Sequence, residues 1–200
     1  METLKPLAEI CAPDPRQTAF VLRHRITGEI RARTLVDVYQ EIAEIDLTAD
    51  VPDQVRSAFA TTRNLMLYSW FVYAFGVVAE LQALATLELA LKRRLDPSDK
   101  RRRLTLLPLM REAIDRQLLV DDGVIDVILP LLGTPERQAS DQVRLAPGSD
   151  PQQYVKRLAK SMSFIRNELA HGTFMLWPHR IGTLHLIARL INQAYTRTGA

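Results

Sequence analysis

The sequence predicts an all-α protein: a helical bundle of about five helices behind a small N-terminal appendage with room for a β-hairpin. Three observations carry this. Apolar residues recur at spacings of three and four through most of the chain beyond residue 50. Strand-like alternation is confined to residues 19–35. At 200 residues and 47% hydrophobic, the chain can bury one ordinary core. The expected division is an appendage over 1–50, holding the hairpin and a helix, and a helical domain over 51–200.

The elements follow in order. Residues 19–26 and 29–35 partly alternate apolar and polar side chains around Thr27-Gly28, where a glycine suits a tight turn. Leu35, Val38, Ile42 and Ile45 then mark an amphipathic helix. Asp50 and Pro52 stop it and start the next, and from Pro52 to Leu95 the pattern is helical almost throughout, with Gly76 a candidate kink. Leu81, Leu84, Leu87, Leu91 and Leu95 give its second half a clean apolar face, and Asp96-Pro97-Ser98-Asp99 ends it. Further helices are expected over Thr105–Val120, Val124–Leu132, Pro151–Ala170 and Ile181–Tyr195, with an exposed Gly/Pro/Ser/Asp-rich loop over 133–150. Gly172 is placed to terminate the helix before it, and Trp177-Pro178 marks a turn.

Charge narrows the function only slightly. The net charge of +3 divides into −3 over residues 1–60, +4 over 61–120 and +2 over 121–200. The middle of the chain therefore attracts phosphate, weakly. A single cysteine, Cys11, excludes an intrachain disulfide and has no activating neighbour. The N-terminus lacks the basic and apolar regions of a signal peptide, so a cytoplasmic location is expected. Residues 65–79 carry no charge, but Glu80, Glu88 and Lys92 follow in the same helical pattern. Since a span needs roughly 20 apolar residues, a buried core helix is expected and no membrane.

The stretch with chemistry is Phe164-Ile165-Arg166-Asn167-Glu168-Leu169-Ala170-His171-Gly172. At about 100° per residue, Asn167 and His171 lie about 40° apart on one face, while Arg166 and His171 lie about 140° apart. The three groups converge only if the helix ends near His171 or the arginine curls around it. Their chemistry suits RNA cleavage. A neutral imidazole can take the proton of a ribose 2′-hydroxyl, which then attacks its own phosphodiester. A guanidinium can grip two phosphate oxygens and stabilise the charge that builds there. Asn167 would position the histidine or the substrate.

This stretch resembles the R-N-x-x-x-H signature of the HEPN superfamily, all-α proteins that include many metal-independent RNases. The order of helices is also HEPN-like, with the motif opening the final helical hairpin. The resemblance covers roughly residues 55–197 and leaves 1–50 outside. It implies a homodimer in which two motifs, one per protomer, meet across a two-fold interface in one composite cleft. It implies Arg166, Asn167 and His171 as catalytic residues, RNA as substrate, no cofactor, and cyclic-phosphate and 5′-hydroxyl products. It also implies a toxin or phage-defence role, restrained by an antitoxin or other protein partner. HEPN domains that only bind or dimerise exist as well, so the alternative is a non-catalytic helical dimer that binds a protein or nucleotide. In that case Arg166 would pair with Glu80 or Glu88.

Other residues enter as lesser candidates. Lys92, Arg93, Arg94, Lys100, Arg101, Arg102 and Arg103 could hold an RNA backbone, or simply suit a helix C-terminus. Glu80 and Glu88, about 80° apart on an apolar helix, need partners, for which Arg166 and Lys156 are candidates. No metal site is expected: the glutamates lack an E-x-x-H companion, and His171, His179 and His185 match no common zinc spacing. Phe174, Met175 and Trp177 suit core or dimer packing better than base stacking. Ser161 and Ser163 lie in no nucleophile elbow, and no glycine-rich phosphate loop is present.

Overall fold

Most helices begin or end where the sequence supplies a local reason, and the main exception is the most instructive. The computed structural model describes residues 4–23, 26–96, 104–122, 152–172 and 180–197. Two short strands, β1 (Val21–Arg23) and β2 (Ile30–Ala32), pair antiparallel with Leu22 opposite Arg31, so the expected hairpin is present. Gly28 sits in its turn at φ 72°. Helices follow at α1 (Leu35–Ala43), α2 (Asp53–Tyr68), α3 (Phe75–Leu95), α4 (Leu106–Asp115), α5 (Gln153–Ala170) and α6 (Arg180–Thr196). The protein is an all-α bundle with a small N-terminal hairpin. The helix expected at 124–132 and the loop at 133–150 lie outside the described residues.

Thr34 opens α1 through a capping box with Asp37, each side chain taking the other's backbone amide. Val38 and Ile42 face inward, and Ile45 and Leu47 are buried just beyond the helix. These four belong to the same core as the later helices. α3 is the central helix and packs on α2, α4, α5 and α6. Its alanines make this possible: Ala79, Ala83 and Ala90 are fully buried beside Leu84, Leu87 and Leu91, so neighbouring helices approach on several sides.

Residues 52–95 are not one helix. The chain breaks at 69–74, and Gly76 lies buried in the first turn of α3 rather than at the break. The segment Ser69-Trp70-Phe71-Val72-Tyr73-Ala74 contains no Gly or Pro. What it has instead is partners for the backbone groups that a break exposes. The Trp70 carbonyl accepts from the Asp14 amide (2.9 Å), and the Tyr73 amide donates to the Asp14 carboxylate (3.2 Å). Gln17 Nε2 donates to the Ser69 carbonyl (3.0 Å) and Lys5 Nζ to the Phe71 carbonyl (3.2 Å). The Arg16 guanidinium lies 4.7 Å from the centre of the Tyr73 ring. The N-terminal segment thus stabilises the turn.

α4 also ends earlier than its pattern suggests, at Asp115 rather than near Val120. Gln117 takes a left-handed conformation (φ 58°). The Leu118 amide bonds to the Ala113 carbonyl (2.8 Å) and the Gln117 amide to that of Ile114 (2.9 Å). This is a Schellman ending made without glycine, with Leu118 and Ala113 buried against the core. Two adjacent α6 residues then tie separate loops to the bundle. Asn192 accepts from the Thr48 amide and donates to the Asp46 carbonyl. Gln193 accepts from the Val120 amide and donates to the carbonyls of Val120 and Asp122.

Among the described residues no helix is long and apolar enough to cross a membrane. The uncharged run 65–79 is divided between the end of α2, the turn and the start of α3.

Candidate functional site

α5 carries the motif and is fixed at both ends. At its start, the buried Asp121 carboxylate accepts from the Tyr154 (3.0 Å) and Val155 (2.8 Å) amides, capping the helix from more than thirty residues away. At its end His171 is the last residue in place, and Gly172 follows at φ 84° with its amide on the Leu169 carbonyl (3.1 Å). The helix therefore stops where Gly172 suggests, with His171 exposed at its tip.

The three motif side chains divide between two faces. Asn167 and His171 are exposed. Arg166 is half-buried and turns toward α3, where its Nη2 lies 3.4 Å from Glu88 Oε2. Lys92, one turn along α3, places Nζ 2.7 Å from the other carboxylate oxygen. One carboxylate, 12% exposed, therefore answers two cations. The contact with Arg166 is an ion pair rather than a hydrogen bond, since Glu88 Oε2 has no hydrogen-bond donor. Ser163 Oγ, on the same helix as Arg166, is likewise buried without one.

Glu80 and Glu88 do not form one site. Glu80 is buried and accepts from Thr183 Oγ1 of α6 (3.3 Å), whereas Glu88 serves α5. Arg166, one of the two cations expected to neutralise the glutamates, pairs with Glu88. Lys92, also a candidate RNA contact, is the other partner of Glu88. Its i,i+4 spacing from Glu88 is a signal the sequence already carries.

The described residues of the basic cluster, Lys92, Arg93 and Arg94, have partners within the fold. Arg94 caps the end of α6, its Nε on the Ala194 carbonyl (2.8 Å) and its Nη2 on that of Arg197 (2.9 Å). Arg93 donates to Gln54 Oε1 (2.8 Å) and remains exposed. Lys100, Arg101, Arg102 and Arg103 lie outside the described residues, as do Phe174, Met175, Trp177 and His179. Among the described residues no group of three or more His, Cys, Asp or Glu side chains could hold a metal ion. Cys11 is exposed.

Away from the motif, an open apolar hollow of about 370 Å³ lies between α1 and the end of α2, lined by Leu35, Val36, Tyr39, Leu67, Tyr68 and Phe71. Compared with protein-family models, curated proteins and solved structures, the chain shows no significant match to any of them.

Proposed function

We propose that the protein is a HEPN-type endoribonuclease acting as a homodimer, with His171 as the proton-transfer group, Arg166 on the scissile phosphate and Asn167 as positioning group. The observation that carries this is the charge around Glu88. One half-buried carboxylate faces both Lys92 and Arg166, so the trio keeps one net positive charge beside the motif. A guanidinium has five N–H donors in a planar fork, and a single ion-pair contact leaves most of them for a phosphate. Glu88 then orients Arg166 without consuming it. His171, exposed at a terminated helix end, is accessible to a ribose 2′-hydroxyl. Because Arg166 and His171 leave α5 in different directions, one motif is half a cleft. A second copy of the motif supplies the complementary half. A role as a toxin or phage-defence effector under the control of an antitoxin or other partner follows from the HEPN resemblance.

A second reading rests on the same ion pair. If Arg166 serves only to fasten α5 to α3, the chain is a non-catalytic helical dimer that binds a protein or nucleotide. Incubating the purified protein with mixed RNA in EDTA, beside Arg166→Ala and His171→Ala, separates the two. Cleavage leaving cyclic-phosphate and 5′-hydroxyl ends, lost in both variants while the fold persists, supports the nuclease. A folded dimer that cleaves nothing across a broad RNA panel sinks it.

A further inference from the structure

The solvent face of α5 carries a pattern that the motif alone does not explain. With Asn167 as reference, about 100° per residue places Lys160 about 20° away, His171 about 40°, Phe164 about 60° and Arg157 about 80°. All five are exposed, and they lie opposite the face that buries Val155, Ala159, Met162 and Leu169. Phe164 is 60% exposed in the middle of this stripe. From Arg157 to His171 the stripe runs about 21 Å, at about 1.5 Å per residue.

An aromatic ring set in solvent between cations and the reacting group has a specific use. Single-stranded nucleic acid is held by cationic side chains along its backbone and by aromatic rings on which unpaired bases stack. A base within a duplex is not available to such a ring. The stripe contains no carboxylate. Glu168, the only acidic residue of α5, is half-buried at its edge. A polyanion therefore meets the two cations Arg157 and Lys160 with one half-buried carboxylate, Glu168, alongside.

We infer that the exposed face of α5 is the substrate track: Arg157 and Lys160 hold the backbone of a single-stranded RNA, Phe164 stacks on one base, and the strand is led toward Asn167 and His171. This rests on the ribonuclease reading and names the form of RNA it takes. It also makes Phe164 a binding residue placed two turns ahead of the catalytic histidine.

The test uses the full chain and a fluorescent single-stranded 2′-O-methyl RNA oligonucleotide, whose blocked hydroxyls cannot attack, so binding is read without cleavage. Phe164→Ala is expected to weaken binding about fivefold to a hundredfold, the range for one lost base stack. Arg157→Ala with Lys160→Ala is expected to reduce the slope of log K against log salt by about 1.4. Phe164→Leu, which keeps apolar bulk but no ring, is expected to bind like Phe164→Ala. Unchanged binding in Phe164→Ala overturns the inference. So does a Phe164→Ala protein that turns monomeric while each protomer binds as before, which would assign the face to a second copy. Cleavage of ordinary RNA is scored separately. Binding that depends on Phe164 without any cleavage removes the nuclease and keeps the track, while cleavage indifferent to Phe164 does the reverse.

Discussion

Glu88 on α3 and Arg166 on α5 face each other at 3.4 Å, and this contact fixes where the motif arginine points. The two partners are not equivalent. Removing Arg166 leaves Glu88 still paired with Lys92, whereas neutralising Glu88 leaves two cations side by side without a carboxylate. Arg166→Ala should therefore cost at most about 1 kcal/mol of stability. Glu88→Gln should cost about 1–3 kcal/mol, since it strands partly buried charge. RNA cleavage should show a different order, with Arg166→Ala abolishing it and Glu88→Gln reducing it. Urea denaturation beside a cleavage assay checks this. An Arg166→Ala protein as unstable as Glu88→Gln, with cleavage intact, would reduce Arg166 to a fastening.

Asp14 predicts the acid limb of stability. Its pKa is lowered to about 2, chiefly by the Arg16 side chain; burial opposes this, and the Arg16 and Tyr73 amides add to the lowering. A carboxyl whose folded pKa lies below its unfolded value stabilises fully above the unfolded value, near 3.9. That contribution drains away as pH falls through about 2. Asp14→Asn should make the loss of stability between about pH 4 and 2 shallower, and should lower stability at neutral pH by about 2 kcal/mol. Thermal melts across that range, wild type against variant, would expose parallel curves if Asp14 were irrelevant.

Asp121 predicts a local effect at the start of the motif helix. Asp121→Ala withdraws the acceptor for the Tyr154 and Val155 amides and should cost about 1–2 kcal/mol. Hydrogen exchange should quicken at those two amides before it changes at Leu169 and Ala170. Uniform acceleration along α5 would contradict a capping role.

Gly172 predicts a backbone effect at the other end. At φ 84° a side chain is strained, yet a Cβ there meets nothing within 4 Å. Gly172→Ala should cost about 1–2 kcal/mol through conformation alone, and Gly172→Asn less. Equal losses for the two variants, measured by chemical denaturation, would point to a contact rather than to strain.

How much of this was legible depends on where the determining groups lie. The hairpin, α1, α5 and α6 are readable because their signals are local: Gly28 in a turn, Gly172 as a stop, apolar spacing throughout. The break at 69–74 was not readable, because no residue inside it asks for a turn and its partners are Lys5, Asp14 and Gln17. The end of α4 is hidden from the sequence for a related reason. Gln117 does there what the eye expects of glycine, and burial of Leu118 compensates. In the candidate site, the spacing of Arg166, Asn167 and His171 gave their division between faces correctly. The exposure of Phe164 was hidden, since an apolar residue in a helical pattern reads as core. The engagement of Arg94 with the end of α6 needs the tertiary fold to be seen.

The N-terminal brace on the 69–74 turn has a consequence in time. Asp14 precedes Tyr73 by 59 residues. At about 5–20 residues per second, the ribosome makes it about 3–12 s earlier. The residues that hold the turn are therefore already synthesised when the uncharged run 65–79 is made. What is a brace in the finished fold is thus, in order of synthesis, the older half of the contact: the turn at 69–74 never has to wait for the groups that hold it.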